Sequence, residues 1–484
     1  MTIILNNNEY KYETEATVKL FIPAVRFAFL TNVRDADGDV IMTRIKKCSE
    51  YVYFYAYIRE NGIKMRSSCR VKANEFTEKD GEFTICRLLF LLLCRFFNTK
   101  PKWGLLTGIR PVKKVNQLIF QGKSKEDIKD IFTGKYFVSE AKMEIAYRTA
   151  MVQQPILPDF DRKTVSIYVS IPFCPTRCSY CSFVSHSMDS AVKLIPEYIQ
   201  RLCRELEILG EIVDRNGLKV DTVYFGGGTP TSISAEDLYK VMKKTSECFD
   251  LSVIREYNVE AGRADTITEE KLAVIKEMKA TRISINPQTL NNEVLKEIGR
   301  KHTAEQVLEA YALARKLGFN NINMDLIAGL PSDSFDSFKN TLDRIIELDP
   351  DGITVHALTI KRSAGLYQNG RENIQNPACM MVDYAINTLI SHDYNPYYMY
   401  RQKNTIDNLE NIGYSKSGKE SLYNIYIMDE TQTILGAGCA ASTKLVDENN
   451  SIQRVMNYKF PYEYINRFDE LMKKKDEIRE FFKK

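Results

Sequence analysis

Residues 166–183 read SIYVSIPFCPTRCSYCSF, and this stretch decides the fold. The apolar run from Val165 to Ile171 has the look of a buried strand, and it delivers three thiols, Cys174, Cys178 and Cys181, in one aromatic-flanked loop. With eleven cysteines in 484 residues, chance produces that spacing in fewer than about one chain in a hundred. Three thiolates in one loop hold a metal or an iron–sulfur cluster. A structural zinc wants four closed ligands, for which His186 is the nearest histidine, and a catalytic zinc with three protein ligands is a further alternative. A 4Fe–4S cluster bound by three thiolates keeps one iron open, which is what a reactive cluster needs.

Outward from this loop, short apolar strands alternate with amphipathic helices. Strand patterns start at Val165, Thr222, Tyr257, Arg282, Ile322 and Gly352. The helices between them open on capping residues, Ser234, Thr268 and Thr303, and Gly318 closes one of them. Six βα units imply an α/β fold with a parallel sheet, either open and doubly wound or an incomplete barrel. Distinctive residues stand at most strand ends: the cysteines, the glycines of FGGGTPTSI, Glu260, Gln288 and Asp325. That placement favours a barrel with one shared mouth. Gly226, Gly227 and Gly228 are expected to let the backbone approach a ligand and offer it N–H and C=O groups.

Before the barrel, YVYFYAYIRENGIKMRSSCRV predicts a hairpin turning at Asn61-Gly62, and RDADGDVIMTRI a second one turning at Asp37-Gly38. ICRLLFLLLCRFF predicts a buried core helix, and Ser124 caps another. The expected domains are an α+β domain over 1–160, a barrel core over 161–360 and a C-terminal extension or cap over the mouth over 361–484.

The 44% apolar content excludes global disorder, and a net charge of +4 gives no whole-protein signal for nucleic acid or membrane. The first residues lack a basic region followed by an apolar one, so the expectation is a cytoplasmic protein without a membrane span. The eight remaining cysteines, Cys48, Cys69, Cys86, Cys94, Cys203, Cys248, Cys379 and Cys439, are expected to be small core hydrophobes.

In order along the chain stand IYVSIPFC, CSYCSF, FGGGTPT, VEAGR, RISINPQTL, GRKH, NMDLIAGLP and LGAGCAAS. These motifs resemble the radical S-adenosylmethionine (SAM) superfamily, and more narrowly the oxygen-independent coproporphyrinogen III oxidase family. The region before the barrel, with TGIRPVK, resembles the HemZ-type coproporphyrinogen dehydrogenase branch. The resemblance implies a partial (βα)6 barrel. It implies that Cys174, Cys178 and Cys181 ligate three irons of a 4Fe–4S cluster and that SAM chelates the fourth. Tyr168 and Tyr180 would lie beside cluster and cofactor, and Gly227, Gly228 and Thr229 at the methionyl end. Glu260, Gln288, Arg300 and Asp325 would contact SAM, as fits side chains that read ammonium, hydroxyl and carboxylate groups. Taken singly, each has a plainer role: Glu260 or Asp325 a cap or ion-pair partner, Arg300 a surface residue, Gln288 a turn former, Tyr168 core.

The implied reaction is oxidative decarboxylation of two propionates of coproporphyrinogen III to give protoporphyrinogen IX in heme biosynthesis. A SAM-derived 5′-deoxyadenosyl radical would drive it, without oxygen, in an anaerobic or microaerobic setting. A flavodoxin or ferredoxin would supply the electron. In the oxidase branch a further cysteine follows the third ligand by two positions, and here Phe183 occupies it. That substitution is shared with family members that are heme chaperones, so a chaperone and a radical enzyme acting on heme are the alternatives, with His302 and His356 as candidate heme ligands. A tRNA-modifying enzyme is disfavoured by the small net charge and the lack of a second cysteine cluster. The propionates need cations. Arg110, Lys113 and Lys114 of TGIRPVKK are the expected substrate contacts, with Arg362 and Arg401 as further candidates.

Overall fold

The structure, a computed structural model, describes all residues except 24–26, 32–37, 158–160, 182–185, 360–376, 403–404 and 484. The chain forms two compact units, one of residues 1–111 and 117–147, the other of residues 112–116 and 148–484.

In the first unit a five-stranded sheet has the order Ala28–Leu30, Thr2–Asn6, Val40–Lys47, Tyr51–Glu60, Ile63–Lys72. The last two strands form the expected hairpin. Asn61 and Gly62 both take positive φ, 51° and 79°, as a two-residue turn matched to strand twist requires. Among the described residues, Ala28–Leu30 and Val40–Lys47, on either side of the second expected turn, each pair with Thr2–Asn6 and not with one another. Val40–Lys47 runs parallel to Thr2–Asn6, because Ile3 and Ile4 are both fully buried and demand a central strand with neighbours on each side. Asp37 of that expected turn lies outside the described residues. The helix Glu78–Phe97, capped by Thr77, buries Leu89, Phe90, Leu92 and Leu93 completely. Among the described residues no helix is long and apolar enough to cross a membrane.

The second unit is built on six parallel strands: Thr164–Ile171, Lys219–Gly227, Glu256–Gly262, Arg282–Gln288, Ile322–Ala328 and Gly352–Ala357. They pair in chain order, each followed by a helix, giving the (βα)6 arrangement. Their interior residues are buried on both faces, which is why they read as near-continuous apolar runs. Ser234, Thr268 and Thr303 cap their helices as expected, Thr303 with Gln306 as a reciprocal box, and Gly318 takes φ 81° beyond the helix end.

The C-terminal region extends the sheet at both edges. Thr433–Ala437 adds in parallel to Thr164–Ile171 and continues into antiparallel Ser442–Val446 and Ile452–Met456. At the other edge, Glu410–Ser415 and Asn395–Arg401 add antiparallel to Gly352–Ala357. Both Thr433–Ala437 and Glu410–Ser415 are buried throughout, so they need cover on two faces and are drawn into the sheet. The first unit ends at Tyr147, and Arg148–Lys484 lies in the second. Cys48 and Cys69, expected in the core, are exposed, one in a turn and one on an edge strand.

Candidate active site

The first parallel strand ends at Ile171, and the chain turns through Pro172 into the cysteine loop. Buried Phe173 seats the loop, its ring edge-on to Tyr198 at 5.2 Å. Cys181 N–H donates to the Cys178 carbonyl (3.0 Å), closing a tight turn. Ser179 N–H donates to the Ile298 carbonyl (3.1 Å) and the Thr176 hydroxyl to the Gly299 carbonyl (2.8 Å). The loop is thus pinned to the segment that carries Arg300.

Cys174, Cys178 and Cys181 line one cavity of about 550 Å³ within the second unit. Tyr168, Tyr180, Gly227, Gly228, Thr229, Glu260, Gln288, Arg300 and Asp325 line it too, so the structure brings the expected SAM contacts together. Among the described residues no three or more His, Cys, Asp or Glu side chains converge to hold a single metal ion. His186, the zinc candidate, does not line the cavity; its ring packs edge-on to Phe460. Phe183 lies outside the described residues.

Gly227 and Gly228 line the cavity and also pack tightly on the neighbouring backbone. A Cβ on Gly227 would come within 2.7 Å of Ser170 Oγ, and one on Gly228 within 2.6 Å of the Phe173 carbonyl oxygen. Close packing of this turn on the cysteine loop therefore requires them. Gly228 N–H donates to the Ile171 carbonyl and Thr229 N–H to the Phe173 carbonyl, both at 2.8 Å, which ties this turn to the cysteine loop.

Deeper in the cavity, Glu260 accepts from the Tyr224 hydroxyl, and burial pushes its carboxyl up to about 7. Burial opposes ionisation of Asp325 as well, but His356 and the amide of Asn323, which donates at 2.7 Å, hold its carboxyl below the usual range. Arg300 donates to the Asn286 carbonyl (2.6 Å) and to Tyr180 Oη (3.1 Å), while its Nε is buried without a hydrogen-bond partner. Gln288 has φ 69°, and its buried Oε1 also lacks a partner, as does Asn286 Oδ1. Three orphaned polar atoms on residues lining one cavity, beside three thiols, fit a polar cofactor bound against a cluster.

Arg263 closes the VEAGR motif, whose local pattern assigns it no role. It makes a two-point ion pair with Asp265 (2.9 and 2.7 Å), donates to Thr176 Oγ1 (2.8 Å), and brings Nη1 to 4.0 Å from Cys178 Sγ. Tyr224 and Tyr423 stack at 4.4 Å, with Tyr168 6.1 Å from each, and line the same cavity. Tyr423 carried no local signal. His356 lines the cavity, 3.7 Å from Asp325 Oδ2, but His302 does not; it is buried with Nδ1 3.4 Å from Asp265 Oδ1.

The expected substrate cations are placed elsewhere. Lys113 pairs with Glu430 at 3.1 Å, and neither it nor Lys114 lines the cavity. Arg110 is the N-cap residue of the helix Pro111–Phe120 and belongs to the first unit. Arg401 is buried, donates to the Asn408 carbonyl and does not line the cavity, and Arg362 lies outside the described residues.

Residues 168–345 match the radical SAM superfamily. The chain is 40% identical over 445 residues to the oxygen-independent coproporphyrinogen-III oxidase-like protein HemZ of Bacillus subtilis (strain 168), spanning 89% of this chain and 88% of that protein. This chain belongs to that radical SAM family. As a radical SAM protein it uses a 4Fe–4S cluster and SAM. The family also reaches the heme chaperone HemW of Lactococcus lactis subsp. lactis (strain IL1403), 31% identical over 286 residues, 58% of this chain and 70% of that one. The radical SAM fold is shared with the coproporphyrinogen III oxidase HemN from Escherichia coli, with TM-score 0.52 at 22% identity over 67% of this chain and 73% of that one.

Proposed function

We propose that the protein carries out oxygen-independent oxidative decarboxylation of coproporphyrinogen III to protoporphyrinogen IX. The observation that carries this reading is the single cavity in which three thiols, the orphaned Gln288 and Arg300 atoms, and two carboxyl side chains face one space. The substrate class is supported by the extent of similarity to the HemZ protein.

In this reading Cys174, Cys178 and Cys181 hold three irons of the cluster. Arg300 and Gln288 take the carboxylate and ribose of SAM, and Glu260 and Asp325 accept from its ammonium and hydroxyl groups. Gly227, Gly228 and Thr229 shape the methionyl end, with Tyr168 and Tyr180 alongside. When bound, the cluster and SAM would supply the one-electron chemistry that removes hydrogen from a propionate, and a one-electron acceptor would take up the electron released as CO₂ leaves. The chain's own residues bind, orient and keep water out, the tyrosine stack doing the last. A low-potential flavodoxin or ferredoxin is the expected electron donor.

The test is an anaerobic turnover with reconstituted protein, SAM, reductant and coproporphyrinogen III. The expected result is 5′-deoxyadenosine together with loss of two CO₂ per substrate, both abolished by Cys174→Ala, Cys178→Ala or Cys181→Ala. SAM cleavage without porphyrin change would sink the reading and turn attention to heme as substrate. A second reading, heme chaperone, is favoured by the similarity to HemW; tight heme binding without SAM cleavage would support it.

A further inference from the structure

The hairpin of the first unit has two unlike faces. Along Tyr51–Glu60, the side chains of Val52, Phe54, Ala56 and Ile58 are buried in the core that includes the helix Glu78–Phe97. Tyr51, Tyr53, Tyr55 and Tyr57 alternate with them, so they stand on the opposite face, half-buried and outside that core. Their rings form a file along the strand. Tyr51 and Tyr53 are 6.2 Å apart, and Tyr53 and Tyr55 are 6.5 Å apart with planes 17° from parallel. From Tyr51 to Tyr57 the file runs roughly 20 Å.

Strand register puts cations on both sides of it. On Val40–Lys47, Lys46 lies opposite Tyr53 and Arg44 opposite Tyr55. On Ile63–Lys72, Lys72, Arg70 and Arg66 lie opposite Tyr51, Tyr53 and Tyr57, and Lys64 continues their line. All six are exposed. None of the positions on this face of the three strands carries Asp or Glu. Lys72 pairs with Glu75 at 3.6 Å beyond the strand end, and the Arg70 guanidinium lies over the Tyr51 ring at 4.4 Å. Among the described residues, Arg44, Lys46, Lys64, Arg66 and Arg70 have no carboxylate at ion-pair distance. A surface that is merely solvated mixes both signs. The whole-chain charge of +4 conceals this local imbalance.

The arrangement selects its occupant. A tetrapyrrole is one disk with a few carboxylates and would use only part of a file this long. An acidic protein or an anionic membrane needs the cations but not the rings. A single-stranded nucleic acid uses both, its bases stacking on the rings and its phosphates meeting the flanking cations. The tyrosine hydroxyls, and Ser68 opposite Tyr55, add hydrogen-bonding groups for a 2′-hydroxyl. We propose that this sheet face is a binding platform for single-stranded RNA. The platform is independent of the decarboxylase reading.

The experiment titrates the full-length protein into a labelled mixed-sequence oligoribonucleotide of about ten nucleotides, following anisotropy at several salt concentrations. The expected result is binding whose log affinity falls linearly with log salt concentration. Arg66→Gln/Arg70→Gln should make that slope shallower by about 1.4, two phosphate contacts at about 0.7 each. Tyr53→Val/Tyr55→Val should weaken binding about tenfold or more at every salt concentration and leave the slope unchanged. Tyr53→Phe/Tyr55→Phe, which keeps the rings, should retain most of the affinity. Circular dichroism checks that the valine pair is folded, and the exposed arginine pair keeps the test open if it is not. No binding at low salt would overturn the platform. So would equal competition by inorganic polyphosphate or by phosphatidylserine vesicles, which carry charge without bases. Equal affinity for the deoxyribonucleotide of the same sequence would overturn RNA as the occupant.

Discussion

The Arg263 guanidinium lies 4.0 Å from the Cys178 sulfur, held there by its two-point pair with Asp265. With the Arg263 side chain only 3% exposed, the charge acts on the thiolate with little screening by water. Beside Cys178, a proposed cluster ligand, a fixed positive charge favours the reduced state. Arg263→Gln is expected to lower the cluster's midpoint potential and slow reductive SAM cleavage, and Arg263→Lys to recover part of the potential but not the fork geometry. A redox titration followed by electron paramagnetic resonance reads this directly; an unchanged potential would count against it.

Gly228 is a packing position. A methyl group there would meet the Phe173 backbone at 2.6 and 2.9 Å, so the cysteine loop or the glycine turn must shift. Gly228→Ala should cost about 1–3 kcal/mol and leave a protein that takes up less iron on reconstitution. Thermal unfolding and iron content check both halves.

Glu260 makes stability fall with rising pH. Burial raises its carboxyl from the usual 4.5 to about 7 in the folded state. The folded protein therefore binds this proton more tightly than the unfolded chain, and ionisation penalises the fold. No penalty exists below pH 4.5; it grows as pH rises to 7 and then levels off, reaching up to about 3 kcal/mol. Urea unfolding of the cofactor-free protein between pH 4.5 and 8 should show this slope, and Glu260→Gln should flatten it and be the more stable protein at pH 8.

Gln288 holds a positive φ of 69° while its Oε1 goes unsatisfied. Gln288→Gly would remove the conformational strain and the side chain together. Stability is expected to hold or rise by up to about 1 kcal/mol, while SAM affinity falls. Calorimetric SAM titration alongside urea unfolding separates the two effects; equal SAM binding would remove Gln288 from the cofactor set.

Lys475 Nζ meets Glu205 Oε1 at 2.6 Å with no exposure on either side chain, and Glu205 also accepts from Gly438 N–H (2.7 Å) and the Tyr464 hydroxyl (2.6 Å). Removing one partner leaves a buried charge uncompensated. Lys475→Met should destabilise the second unit by about 3–5 kcal/mol, and adding Glu205→Gln should recover a good part of it. Chemical denaturation of the single and double variants tests this.

The features readable from the chain alone are local. Hydrophobic runs of strand length, helix caps at Ser234, Thr268 and Thr303, the positive-φ pair Asn61-Gly62 and the cysteine spacing each act within a few residues, so the (βα)6 order and the thiol loop were legible without coordinates. Strand ends share one mouth in such a fold, which is why residues as far apart as Tyr168 and Asp325 could be placed together in advance. Long-range packing selects the segments that prolong the sheet edges, sets Val40–Lys47 beside Thr2–Asn6, and commits Lys113 to Glu430. It also brings Tyr423 and Lys444 into the cavity wall. Those outcomes follow from burial of whole segments against partners distant in sequence. No short-range pattern encodes such a partner, because any buried strand edge with matching length and apolarity would satisfy the same local rule.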